Sequence, residues 1–197
     1  MKVGKVDHYD INTIDRKTKF IVEEEFMISR TREQIDAYFK RIKSQIYDQA
    51  LRRYHDEKQK HPHRKNSKMK LLHFYSDGFE NYGASARKYF DNVCNITVGV
   101  PIKAKAAGLE HNNNSIERYN QDIEERYKVT RHWGSFESTK KTSKMRQIIH
   151  NFVNPHMGLA GKTPSQEAEI KGDFGRNKLL NLIEMVSFLK SYGDDVN

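Results

Sequence analysis

The chain has 197 residues, with 35 Lys and Arg against 26 Asp and Glu, a formal net charge of +9 at pH 7 and a pI near 9.5. Hydrophobic residues make up 36% and mean hydropathy is -0.89, so no stretch approaches the ~18 apolar residues of a membrane span; the opening MKVGKVDHYD also lacks the apolar core of a secretory signal. A single cysteine, Cys94, excludes a disulfide framework and a cysteine zinc site, while 11% aromatics argue against disorder, which leaves a basic globular protein of a reducing compartment, expected in the cytoplasm.

Residues 6–14 and 19–28 read as two strands joined by the polar turn Asp15-Arg16-Lys17-Thr18. Thr31 and Gln34 have capping-box spacing, and Ile35, Tyr38, Phe39, Ile42, Ile46 and Leu51 then recur at helical intervals, predicting a helix over 32–57. Pro62 lies in the basic segment that ends it. MKLLHFYSDG (69–78) reads as a buried strand, followed by a helix near 80–90 and a strand near 94–101. A polar loop over 108–114 leads to a helix over 115–131 with Ile116, Tyr119, Ile123 and Tyr127 on one side. Another helix covers 138–153 and ends at Asn154-Pro155; a Gly/Pro-rich link (158–164) precedes a short element and a last helix over 176–190. This order predicts a mixed α/β fold.

The positive charge is clustered. Residues 52–70 hold eight Lys and Arg against two acids, and residues 126–146 hold seven against one. Such clustering is the footprint of a phosphate-rich partner, although two solvated Lys-rich loops would give the same pattern. His55, His61 and His63 lie among these lysines and are weak zinc candidates, Trp133 is more readily a core cap than a base-stacking platform, and Cys94 reads as core.

Two carboxylates stand out. Asp77 ends a strand expected to be central, where α/β sheets place ligands, yet Asp-Gly is also an ordinary turn dipeptide. Glu117 opens a helix three residues after Asn114, which is either a capping box or a carboxylate facing Asp77 across a metal site. Glu117, Gln121, Glu124, Lys128 and Arg131 share one polar stripe, suited to lying along a DNA backbone or to facing solvent.

Taken together, VDHYDINTIDRKTKFIV (6–22), HFYSDGFENY (73–82), HNNNSIERYNQDIEERYKVTRHWGSF (111–136) and NFVNPHMGLAGKTPSQEAEI (151–170) resemble the catalytic domain of insertion-sequence DDE transposases, relatives of the retroviral integrase core. The resemblance implies a ribonuclease-H-like mixed sheet flanked by helices over 1–170, with a helical C-terminal extension over 171–197. It implies metal-dependent DNA cleavage and strand transfer in transposition, with two Mg²⁺ or Mn²⁺ ions held by an Asp, Asp, Glu triad. The second Asp corresponds to Asp77 and the Glu to Glu117, with Asn113 and Arg118 flanking the site. Arg118, Gln121, Lys128, Arg131, Lys140 and Lys141 become candidate DNA contacts. The family's first Asp and its N-terminal helix-turn-helix would lie before Met1, and Asp7, Asp10 and Asp15 are poor replacements. The chain is therefore expected to be an N-terminally truncated, catalytically impaired form acting on double-stranded DNA, as a homodimer or higher multimer. A non-catalytic remnant that binds element ends or co-assembles with full-length transposase is the alternative, and an RNA-directed basic protein is a third.

Overall fold

Strand periodicity organises the first part of the molecule. The computed structural model describes residues 2–3, 6–65, 72–90, 93–98, 114–129, 135–170 and 174–194. The predicted strand over 6–14 is divided at His8: β1 (Lys2–Val3) pairs with β2 (Val6–Asp7), and β3 (Tyr9–Ile14) pairs with β4 (Ile21–Met27), both antiparallel. Between β3 and β4, Asp15 accepts from Thr18 N and Lys19 N and donates its own N–H to Phe20 O, which holds Lys19 at φ 61°. Successive residues point to opposite faces. Ile11 and Met27 face one helical layer, whereas Asp10, Asn12, Glu24 and Phe26 face another.

The first layer is α1 (Arg32–Lys60), three residues longer than its apolar spacing predicts. Thr31 caps it by accepting from Gln34 N; the Gln34 side chain accepts instead from Ser29 Oγ, so the reciprocal half of the expected capping box is not made. Ile35, Tyr38, Phe39 and Ile42 are buried, each contributing about 1.5–3 kcal/mol of apolar burial. Tyr38 also meets Thr13 Oγ1 at 2.8 Å and donates to Glu23 O, so one buried phenol joins helix to hairpin.

Helix α2 (Glu80–Phe90) connects β5 (Leu72–Ser76) to β6 (Cys94–Val98), and the two strands are parallel from Leu72 opposite Cys94 to Ser76 opposite Val98. Phe74 packs on Phe39 and Phe90 and joins this unit to α1. Asp36 of α1 is gripped by Lys88 at 2.5 Å, Ser85 at 2.6 Å and Arg32 at 3.1 Å, and the Lys88 bond leads in holding its carboxyl down at about 2.

The second layer is α3 (Asn114–Val129) and α4 (Phe136–Ile148). Tyr119 and Ile123 bury against Ile21. Instead of continuing to 153 as an α-helix, α4 passes into a π-turn over Ile149–Val153 that carries Asn151 inward. A 3₁₀ turn (Met157–Leu159) and α5 (Pro164–Glu167) follow, the latter with a complete Thr163–Gln166 capping box. Helix α6 (Lys178–Asp194) touches the rest mainly near the π-turn and leaves Leu179, Leu180, Ile183, Val186 and Phe188 exposed. Among the described residues no helix is long and apolar enough to cross a membrane.

The molecule is thus mixed α/β, as the order of elements predicts. Among the described residues, however, the strands form three separate two-stranded sheets rather than one, because β3 and β5 do not pair. Strand β5 is half-buried, not the enclosed central strand the sequence suggests.

Candidate functional site

Asp77 follows β5 directly, but its environment differs from the poorly solvated one expected there. The side chain is 59% exposed, its Oδ1 accepts from Phe79 N at 3.1 Å, and Arg30 stands 4.0 Å away. The short polar side chain thus makes an Asx-turn that leads the backbone into α2. The Arg30 guanidinium lies over the rings of Tyr9 (4.6 Å) and Phe79 (4.3 Å), so this corner joins the start of β3 to the end of β5. Burial raises the Tyr82 phenol, with Arg30 opposing the shift and Asp77 adding to it.

Two cavities open beside Asp77. The larger, about 510 Å³, lies between β3 and β5; the smaller, about 230 Å³, is lined by Tyr9, Asp10, Arg30, Tyr82 and Asn120 as well as Asp77. Helix α3 contributes Ile116, Asn120, Ile123 and Glu124 to their walls. Glu117 is exposed and, among the described residues, lines neither of these two cavities. The capping role of Asn114 concerns a side chain outside those described. Among the described residues no group of three or more His, Cys, Asp or Glu is disposed to hold a metal ion, His55, His61 and His63 included. An exposed Asp77 engaged by its own turn and a Glu117 off the cleft do not fit a two-ion centre.

The candidate DNA contacts fall into different classes. Arg118 is exposed and close enough to His156 that, after burial, the charges of Lys19 and Arg118 push the imidazole pKa down. Gln121 is exposed and donates to Glu125. Lys141 is exposed on α4. Lys140 instead meets Glu25 at 2.8 Å, and Lys144 meets Glu23 at 3.1 Å. The two repeats match: four residues of helix advance ~6 Å and two residues of strand ~6.8 Å, so lysines four apart reach glutamates two apart. Arg41 closes the same row from the α1 side, 3.0 Å from both Glu23 and Glu25. Much of the basicity of 136–146 therefore neutralises β4. Lys128 lies on α3 with its side chain outside those described, and Asn113, Arg131 and Trp133 lie outside the described residues altogether. Cys94 is buried, as expected of a core residue.

A cluster that the sequence does not announce lies beneath α3. Glu24 is fully buried, accepting from Tyr119 at 2.8 Å and from the Ser143 hydroxyl, and burial is the main cause of its raised pKa. Asp10 shares that face; burial first, then the neighbouring Glu24, raises it to about 8. Arg146 stacks over the Tyr119 ring at 5.2 Å and its charge opposes both shifts. The only sequence signal for this pair is that β-alternation puts Asp10 and Glu24 on the face shared with Phe26. No protein-family model, curated protein or solved structure matches the chain.

Proposed function

We propose that the chain is a DDE-transposase-type module, built on a ribonuclease-H-like plan, that binds double-stranded DNA. Its lineage is that of DNA transposition and integration, with strand cleavage and transfer impaired in this form. The observation that carries this reading is the division of the cations. Lys140, Lys144 and Arg41 neutralise β4, while Arg52, Arg53, Lys60, Arg64 and Lys65 crowd the exposed end of α1 and Arg118 and Lys141 face solvent. Cations in the second group are the kind that neutralise backbone phosphates without reading sequence. In an intact centre Mg²⁺ or Mn²⁺ would activate the attacking oxygen. Here Glu117 lines neither of the two cavities beside Asp77, so the reading favours DNA occupancy, including co-assembly with an intact transposase on element ends.

Fluorescence anisotropy with a labelled duplex tests this. Affinity should fall steeply between roughly 50 and 200 mM salt, with little sequence preference. Absence of duplex binding at the lowest salt, or a clear preference for single-stranded RNA, overturns the proposal. Mn²⁺-dependent strand transfer by residues 1–197, abolished in Asp77→Ala, would overturn the impaired state while leaving the lineage intact.

A further inference from the structure

A third cavity, about 650 Å³, is an apolar groove between α4 and α6, far from the chemistry considered at Asp77. Met145 and Ile148 of α4 line it, with Leu179, Leu182, Ile183 and Val186 of α6 opposite. All of these but Leu182 are 41 to 58% exposed, and Leu180 beside them is 47% exposed. Leu179, Leu182 and Val186 are spaced three and then four apart, the interval of a seam that packs against another helix. Such a seam needs a helical neighbour, and α4 covers only one side of it. With Leu180, the exposed side chains present on the order of 600 Å² of apolar surface, at the upper end of what a monomer ordinarily leaves in one patch.

We propose that this groove is a two-fold contact between copies of the chain, in which α6 of each copy lies in the groove of the other. Two observations select a second copy. The first is area. A stable contact buries ~800 Å² per partner, and in homodimers ~65% of that is apolar, or about 520 Å², which the patch supplies. The second is charge. Copies that each carry +9 can meet only where charge is cancelled locally. Along the rim Lys140 and Lys144 are already engaged by Glu25 and Glu23, and Glu137 stands near the exposed Lys141. Residues 178–194 hold two lysines against one Glu and one Asp, so α6 has no net charge. A neutral helix with an apolar seam is what this groove fits, and the chain carries one in α6. An acidic helix or an anionic membrane would instead call for a rim of uncommitted cations. Because each copy offers both the helix and the groove, the contact closes on itself as a bundle of four helices and goes no further.

The contact forms without nucleic acid, so it and duplex binding can fail separately. Sedimentation equilibrium of the full chain in DNA-free buffer is the test. Contacts of this size give micromolar or tighter complexes, so at about 50 μM the chain should be dimeric. Ile183→Glu on α6 and Met145→Glu on α4 each place a charge in the contact, and each should weaken the dimer at least ~100-fold. Met185→Glu is the control: Met185 is 45% exposed but does not line the groove, and its substitution should leave the dimer unchanged. The two test sites lie on different helices, so a folding defect in one, read by circular dichroism, leaves the other to decide. A monomer at that concentration overturns the proposal, as does an open-ended series of larger species. It is also overturned if Met185→Glu weakens the dimer as much as Ile183→Glu, or if the chain is monomeric and sediments with phosphatidylserine vesicles through Ile183.

Discussion

The side-chain amide of Asn151 meets Ile21 like one more strand residue: its Oδ1 accepts from Ile21 N and its Nδ2 donates to Ile21 O, each at 2.9 Å. The π-turn makes this contact, because the extra residue in that turn swings Asn151 off the α-helical path and onto the end of β4. Both bonds are buried. Asn151→Ala should cost about 1–3 kcal/mol in urea denaturation, since two backbone groups lose their partners together. Asn151→Asp should cost at least as much, because a carboxylate cannot donate to Ile21 O. A loss below ~0.5 kcal/mol for the alanine variant, the size of an ordinary surface substitution, would remove the structural role assigned here.

Asp10 predicts an unusual pH dependence. Its pKa is raised from 3.8 to about 8 in the folded state, so the folded protein holds a proton that the unfolded chain releases. The stabilisation is complete below the unfolded value and is lost as pH rises through the folded one, at up to ~1.4 kcal/mol per pH unit for one group. Glu24 is shifted in the same direction, and the pair titrates as a unit. Denaturation followed from about pH 5 to about pH 8 should show stability falling as pH rises. Asp10→Asn should flatten that slope. Asp36, held low at about 2, acts in the opposite sense and only under acid conditions, so it does not interfere.

Lys141 and Lys144 stand three residues apart on α4 but should behave differently. Lys141→Ala should leave stability within ~0.5 kcal/mol of the parent and lower the salt slope of duplex binding by about one. Lys144→Ala removes a partner of the buried Glu23 and should cost about 1–3 kcal/mol, although Arg41 still holds that carboxylate. Equal effects of the two substitutions on melting would contradict the division of cations described above.

The turn at Asp77 separates a backbone role from a charge role. Asp77→Asn keeps an acceptor for Phe79 N and should retain parental stability within ~0.5 kcal/mol, whereas Asp77→Ala should cost about 1 kcal/mol, the scale of a lost cap. A thermal melt of both variants decides it: an asparagine variant as damaged as the alanine variant would mean that the carboxylate's charge matters more than the turn.

Much of this framework is legible in the sequence because it follows local periodicity. Ile35, Tyr38, Phe39 and Ile42 mark the buried stripe of α1, and the strand, helix, strand order over 72–98 marks the parallel pair. The roles of the charged residues are less legible. Glu23, Glu24 and Glu25 fall inside the predicted strand over 19–28, but nothing local names their partners: Arg41, Lys140, Ser143 and Lys144 come from helices distant in the chain. Lys140 accordingly resembles a nucleic-acid contact until β4 is placed beside it. Asp77 invites a ligand role from its place at a strand end and a turn role from the Gly that follows it, and its hydrogen bond from Phe79 N shows the turn role being performed.

Helix α1 has a consequence of scale. From Arg41, which faces the Glu23 and Glu25 carboxylates, to Lys60 is nineteen residues, or ~28 Å of rise. Counter-ions at physiological ionic strength attenuate fields over about 8 Å, so the cationic tip does not feel the acidic stripe on the same rod. One end can be re-engineered for affinity without retuning the electrostatic balance that holds the other in place.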